Sequence, residues 1–149
     1  MLTDIERLFE RDLNRLVKEI QSYKTESDLW ITTKGISNSG GNLVLHLVGN
    51  LNHFFGTTLA HTGYVRDRDR EFSDNNVPRQ KLISDVEATM PVIKTALNDL
   101  SKDDLEKDFP VVLNNVVSSN QLMLIHLYGH LNYHLGQINY HRRLIDKMA

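Results

Sequence analysis

The chain has 149 residues, enough to bury one hydrophobic core without disulfides or a structural metal, so a single domain over residues 1–149 is the default expectation. Hydrophobic residues make up 40% and charged residues 24%, a globular balance well away from that of a disordered chain. A formal net charge of −2 and a sequence pI near 6.4 leave no surplus of Lys and Arg for a phosphate backbone, which disfavours nucleic-acid binding.

In chain order, residues 3–23 open with Thr3 and Glu6 at capping-box spacing. They continue with Ile5, Leu8, Phe9, Leu13, Leu16, Val17 and Ile20, steps of three and four that predict a first helix. Residues 24–41 are rich in Thr, Ser, Asp, Asn and Gly around Trp30 and read as a loop running into a helix start. From Asn42 to about Tyr64, the positions Leu43, Leu47, Leu51, Phe54 and Phe55 form a second apolar stripe and predict a second helix.

Charges dominate Arg66-Asp67-Arg68-Asp69-Arg70-Glu71, and Ser73 to Asn76 follow. The alternating signs predict an exposed, self-paired connection rather than an anion site. Pro78 suits a first helical turn, and Leu82, Ile83, Val86, Met90, Ile93, Leu97 and Leu100 extend a third helix to about Leu100. Pro91 should kink or split it. Residues 101–117 hold Pro110 and the β-branched pairs Val111-Val112 and Val116-Val117, which predict an extended crossover. Ser118 or Ser119 can cap a last helix to about Lys147. Four long amphipathic segments predict an all-α fold, a four-helix bundle with a long crossover connection.

The N-terminus places acidic residues where an export signal would be basic, and the apolar stretches are too short and interrupted to span a bilayer, so a cytoplasmic protein is expected. Cysteine is absent, which removes disulfides, thiolate zinc sites and a cysteine nucleophile together. Any metal must therefore be held by nitrogen and oxygen.

Seven histidines are present, and their placement is informative. His126, His130 and His134 recur every four residues on the last helix. Each step drifts by about 40°, so the rings rise along one stripe about 6 Å apart, and adjacent members can share an ion. Spacing alone leaves open whether the pair is His126 with His130 or His130 with His134. A third ligand must come from another helix. His46 is the candidate, since it lies within the apolar run Leu43 to Val48, where a histidine is otherwise an awkward core residue. Three neutral imidazoles would leave open positions on zinc or a similar ion, as catalytic sites do. For His53, His61 and His141, partly exposed polar positions are the simpler reading. No Glu-x-x-His and no His-Glu-x-x-His occurs, so neither the ferritin-like di-iron motif nor the zincin pattern is present.

Asn38-Ser39-Gly40-Gly41-Asn42-Leu43-Val44-Leu45-His46-Leu47, Gly63-Tyr64-Val65-Arg66-Asp67-Arg68 and His130-Leu131-Asn132-Tyr133-His134-Leu135-Gly136-Gln137-Ile138 together resemble the DinB-like proteins. These are also grouped with the YfiT-like metal-dependent hydrolases, and the closer likeness is to the DUF1572 branch. The resemblance covers nearly the whole chain in order. It implies a four-helix bundle with one long crossover, often dimeric, carrying a nickel, zinc, iron or manganese ion on three histidines. By position those ligands fall on His46, His130 and His134, with His126 at a position that is often histidine without being a ligand. The resemblance further implies a metal-dependent enzyme that joins a low-molecular-weight thiol to a small electrophile, ahead of a hydrolase. The metal would act on the thiol or on water, and His126, Tyr133 or Gln137 would orient or deprotonate a reactant. The alternative is a non-catalytic protein whose site sequesters metal or ties helices together.

Overall fold

The computed structural model describes residues 1–148 and is mainly helical, with no strand among them. Helix α1 spans Leu2–Ser22, α2 Gly40–Leu51, α3 Arg68–Ser73, α4 Arg79–Asn98 and α5 Asn120–Met148. A π-helical segment, Asn52–Leu59, continues α2, and short 3₁₀ turns lie at Ser27–Trp30 and Asp103–Glu106. Helix α1 packs on α4 and α5, and α2 packs on the same two, so the four long helices surround one core.

The apolar stripes meet there: Phe9, Leu13, Leu16 and Ile20 from α1, Leu47 and Leu51 from α2, Leu82 and Val86 from α4, and Leu124, Leu127 and Leu131 from α5 are all buried. Phe55 is fully buried and meets Phe9 edge-on, with ring centroids 5.1 Å apart. Phe54 is buried as well, so this aromatic pair belongs to the chain's own core and offers no surface for association.

Several expectations change in detail. Helix α1 starts at Leu2 and carries no side-chain cap, so Thr3 and Glu6 both lie inside the helix rather than forming a capping box. The Met1 carbonyl instead accepts from the amides of Asp4 and Ile5. Helix α2 starts at Gly40, two residues earlier than the apolar stripe indicates, because Ser39 caps it. Helix α4 runs through Pro91 without splitting. Residues 101–117 form the connection to α5, with the turn Asp103–Glu106 and bridges Leu113↔Val116 and Asp108↔Ser119. Ser119 caps α5, its Oγ accepting from the Leu122 amide at 3.2 Å.

The seam between α1 and α5 is polar and partly buried. The Asp12 carboxylate, wholly inaccessible to solvent, accepts from the Tyr128 hydroxyl at 2.7 Å and from Arg11 at 2.8 and 2.9 Å. Further along, Glu19 accepts from Asn139 and Arg142, each at 2.7 Å. These pairs fix the face that α5 turns toward α1, and with it the direction in which the opposite face points.

Candidate metal centre

Helices α2 and α5 run antiparallel: Gly40 faces His141, and six residues later His46 faces His130. What sets α2 in place begins at its cap. The Ser39 hydroxyl accepts from the Asn42 amide at 3.1 Å and donates to the Asn42 side-chain oxygen at 2.6 Å. That orients the Asn42 amide to donate to the carbonyls of Glu71 at 3.1 Å and Asp74 at 2.8 Å. The short helix α3 is thereby docked on α2. At Gly49 a β-carbon would collide with the Glu71 carboxylate, so the absence of a side chain there admits Glu71 to the helix surface.

Glu71 is buried and accepts from His46 Nδ1 at 2.9 Å. Arg66 grips the same carboxylate with two bonds of 2.7 Å, the bidentate geometry that makes such pairs strong. Burial pushes the Glu71 carboxyl up, but hydrogen bonds from Arg66 and His46 outweigh it and hold Glu71 below the usual range. Glu71 is therefore ionised, and the His46 proton sits on Nδ1. Phe72, next in the chain, places its ring 5.0 Å from that of His46.

With Nδ1 protonated, His46 Nε2 carries a lone pair, and it lies 3.1 Å from His130 Nε2. On the other side His134 Nδ1 donates to Gln137 Oε1 at 2.7 Å, and its Nε2 lies 3.1 Å from the same His130 Nε2. Two lone pairs thus face one nitrogen, and a proton on His130 can serve only one of them. A divalent cation satisfies all three. The ligand atoms lie within 4.8 Å of one another, and the 3.1 Å separations approach the roughly 3.3 Å edge of a tetrahedron with metal–nitrogen bonds of about 2.05 Å. The donor set fits a metal, and it contains no fourth His, Cys, Asp or Glu among the described residues.

The electrostatics agree. Burial, reinforced by the neighbouring imidazoles and Arg66, lowers His130 to about 4. Burial also lowers His134, partly opposed by its bond to Gln137. Both rings are neutral at neutral pH, the form that coordinates. His130 Nδ1 and the Asn50 side-chain oxygen are buried with no protein partner.

Of the remaining sequence candidates, His126 is exposed and stacks on His130 with ring centroids 6.4 Å apart, outside the ligand cluster. Tyr133 is 66% exposed, its ring 5.2 Å from that of His134. Gln137 is hydrogen-bonded to His134 rather than standing free. The expectation of partial exposure fails for His141, which is buried between the Tyr23 hydroxyl at 2.7 Å and the Ile31 carbonyl at 2.8 Å. His53 is intermediate and His61 exposed, as expected.

The largest departure concerns Arg66 to Glu71, expected to be a solvated surface. Its last four residues, Arg68 to Glu71, open helix α3, and partly buried Arg66 pairs with buried Glu71 behind His46. The available signal was His46 itself, because a neutral imidazole in an apolar run needs an acceptor on its second nitrogen. Nothing in the charge pattern identifies which acid supplies it.

Residues 2–148 match the family model described as "Protein of unknown function (DUF1572)". No match is found among curated proteins.

Proposed function

Because the chain belongs to the DUF1572 family, whose description names no activity, we propose from the site that it is a metal-dependent enzyme holding one divalent ion on the Nε2 atoms of His46, His130 and His134. The observation that carries this reading is the convergence of the three Nε2 atoms while the Nδ1 atoms of His46 and His134 are spent on Glu71 and Gln137. Metal-binding histidines are oriented in just this way, the far nitrogen donating to a carboxylate or amide oxygen.

A metal so held supplies Lewis acidity to a thiol or a water. Around it the chain's own residues act as follows. Glu71, fixed by Arg66, keeps the proton on His46 Nδ1 and directs Nε2 inward. Gln137 does the same for His134. Tyr133 and His126, both exposed beside the ligands, can touch a reactant. Three protein donors rather than four support catalysis over a purely structural role, because structural zinc sites are closed and catalytic ones keep a position open.

The DinB-like resemblance adds a four-helix bundle of that type, a homodimer, and a low-molecular-weight thiol joined to a small electrophile, ahead of hydrolysis; the cytoplasmic location comes from the short, interrupted apolar stretches of the sequence. No helix of the described residues is long and apolar enough to cross a membrane. The exposed Leu122 and Ile125 on α5 offer apolar surface for a second copy, and light scattering showing only monomer at micromolar concentration would remove the dimer.

The test is elemental analysis of the purified protein with a panel of thiols and electrophiles assayed on metal-loaded and stripped samples. About one divalent ion per chain and metal-dependent consumption of a thiol or hydrolysis of an electrophile are expected. Protein that neither retains nor takes up a divalent ion overturns the reading, and a tightly held ion without exchangeable water favours the structural alternative.

A further inference from the structure

A cleft of about 560 Å³ lies beside the histidine cluster, between α5 and the loop that precedes α2. One wall is α5, which contributes Tyr133, Gly136, Gln137 and Tyr140; the other includes Ile36, Ser37 and Asn38. We propose that this cleft binds a neutral aromatic small molecule bearing a hydrogen-bond acceptor, placed against Gln137, the residue that holds His134. The proposal deepens the metal-enzyme reading, on which it rests for the role of the occupant but not for its binding.

Four features support it. The volume is that of a small-molecule site rather than a surface wrinkle. None of the lining residues is Asp, Glu, Lys or Arg, so a charged ligand would be desolvated without a counter-ion, which is costly. His141, at the cleft's edge, spends both ring nitrogens on Tyr23 and Ile31. The rings of Tyr133 and Tyr140 are 66% and 67% exposed, so both are free to stack on an aromatic occupant. They stand seven residues apart, about 10.5 Å along the helix, and between them Gly136 leaves the floor without a side chain.

Gln137 supplies the polar contact. Its Oε1 accepts from His134 Nδ1 at 2.7 Å, and no protein acceptor takes its Nε2–H₂ among the described residues. That amide nitrogen is therefore the donor available to an acceptor in the cleft. An occupant there touches the residue that orients a metal ligand, which explains why a pocket for the organic substrate would sit at this edge of the site.

Gly136 also provides a clean test. A β-carbon there meets nothing within 4 Å, so a larger side chain enters the cleft without disturbing the fold and should stabilise α5. Gly129, one heptad earlier, is equally open but does not line the cleft. The probes are 4-nitrobenzyl alcohol and its anionic counterpart of similar shape, 4-nitrobenzoate, titrated into ¹⁵N-labelled metal-free protein. The alcohol should give saturable amide shifts at Gly35 to Asn38 and Gly136 to Tyr140, and the carboxylate should bind at least ten-fold more weakly. Gly136→Leu should weaken the alcohol ten-fold or more, whereas Gly129→Leu should leave it unchanged. Absence of saturable shifts, equal binding of the two probes, or indifference to Gly136→Leu overturns the proposal. Metal content is measured separately on the same preparations: metal bound without probe binding sinks the cleft alone, and probe binding without metal sinks the metal reading alone.

Discussion

At the scale of residues, the histidines separate by what each ring nitrogen faces. His46, His130 and His134 each direct Nε2 to a common point, so replacing any one by Ala removes a third of the donor set and should largely empty the site. His126 makes no hydrogen bond to the three, so His126→Ala should retain the metal with little change in affinity. Glu71→Gln and Gln137→Ala, which disturb the acceptors rather than the donors, should each weaken metal binding about 10- to 100-fold. Calorimetric titration of the stripped proteins ranks all six variants; an empty site in His126→Ala with a filled one in His134→Ala would show that the other pair of the stripe is the ligand pair. Acid release of the metal follows from the same residues. Because His130 is lowered to about 4 and His134 is lowered too, protons compete less than at an ordinary imidazole near 6.5. Metal should therefore persist somewhat below pH 6.5 and be lost by about pH 4. In the metal-free protein a lowered His130 means that the unfolded chain binds the proton more readily, so stability falls as pH drops from about 6.5 to about 4. Equilibrium unfolding across that window, with and without metal, checks both.

At the scale of elements, the site depends on the docking of α3 against α2. Gly49→Ala would set a β-carbon against the Glu71 carboxylate, and Glu71 cannot retreat while Arg66 and the Asn42 amide hold it from both sides. The variant should lose about 1–3 kcal/mol of stability, as overpacked interiors do, and bind metal more weakly because His46 loses its acceptor. Thermal melting and metal titration read the two effects separately; unchanged values for both would mean that α3 does not position His46. Serine at the start of α2 acts on the same contact from the other side. Ser39→Ala removes a cap, at a cost of about 1 kcal/mol, and frees the Asn42 amide that bridges the helices.

At the scale of the whole molecule, one core joins the four long helices, so the chain should stay folded without metal and gain stability when loaded. A ligand present at about a thousand times its Kd contributes about 4 kcal/mol, visible as a rise in Tm that a chelator reverses. Acid stability has a second source in the buried Asp12. Burial alone would raise this carboxyl, but hydrogen bonds from Arg11 and Tyr128 bring it down to about 2. A depressed carboxylate contributes stability above its unfolded value near 3.9 that is lost as pH falls toward 2. Asp12→Asn should remove about 2 kcal/mol at neutral pH and flatten the acid limb of the stability curve between pH 4 and 2. An unaltered acid limb would assign that loss to other groups.

Local sequence pattern alone determined the helices that matter here. Steps of three and four located the first three long segments, a serine cap placed the last, and the four-residue spacing of His126, His130 and His134 put them on one stripe, because these are consequences of local helical geometry. It could not choose between the two adjacent pairs, since each is equally spaced; the likeness to DinB-like proteins made that choice, and packing brings His46, His130 and His134 together while His126 stays outside the group. Tertiary structure alone decided the partners. Glu71 and Arg66 lie in a run whose alternating charges look solvated, and burial of one such pair depends on a glycine on another helix and an asparagine behind its cap. His141 looks like a surface histidine until Tyr23 and the Ile31 carbonyl close around it. Contacts between residues distant in sequence leave no period in the chain, so the helices could be read from spacing and capping, whereas the groups that aim and charge the site appear only once those helices are packed.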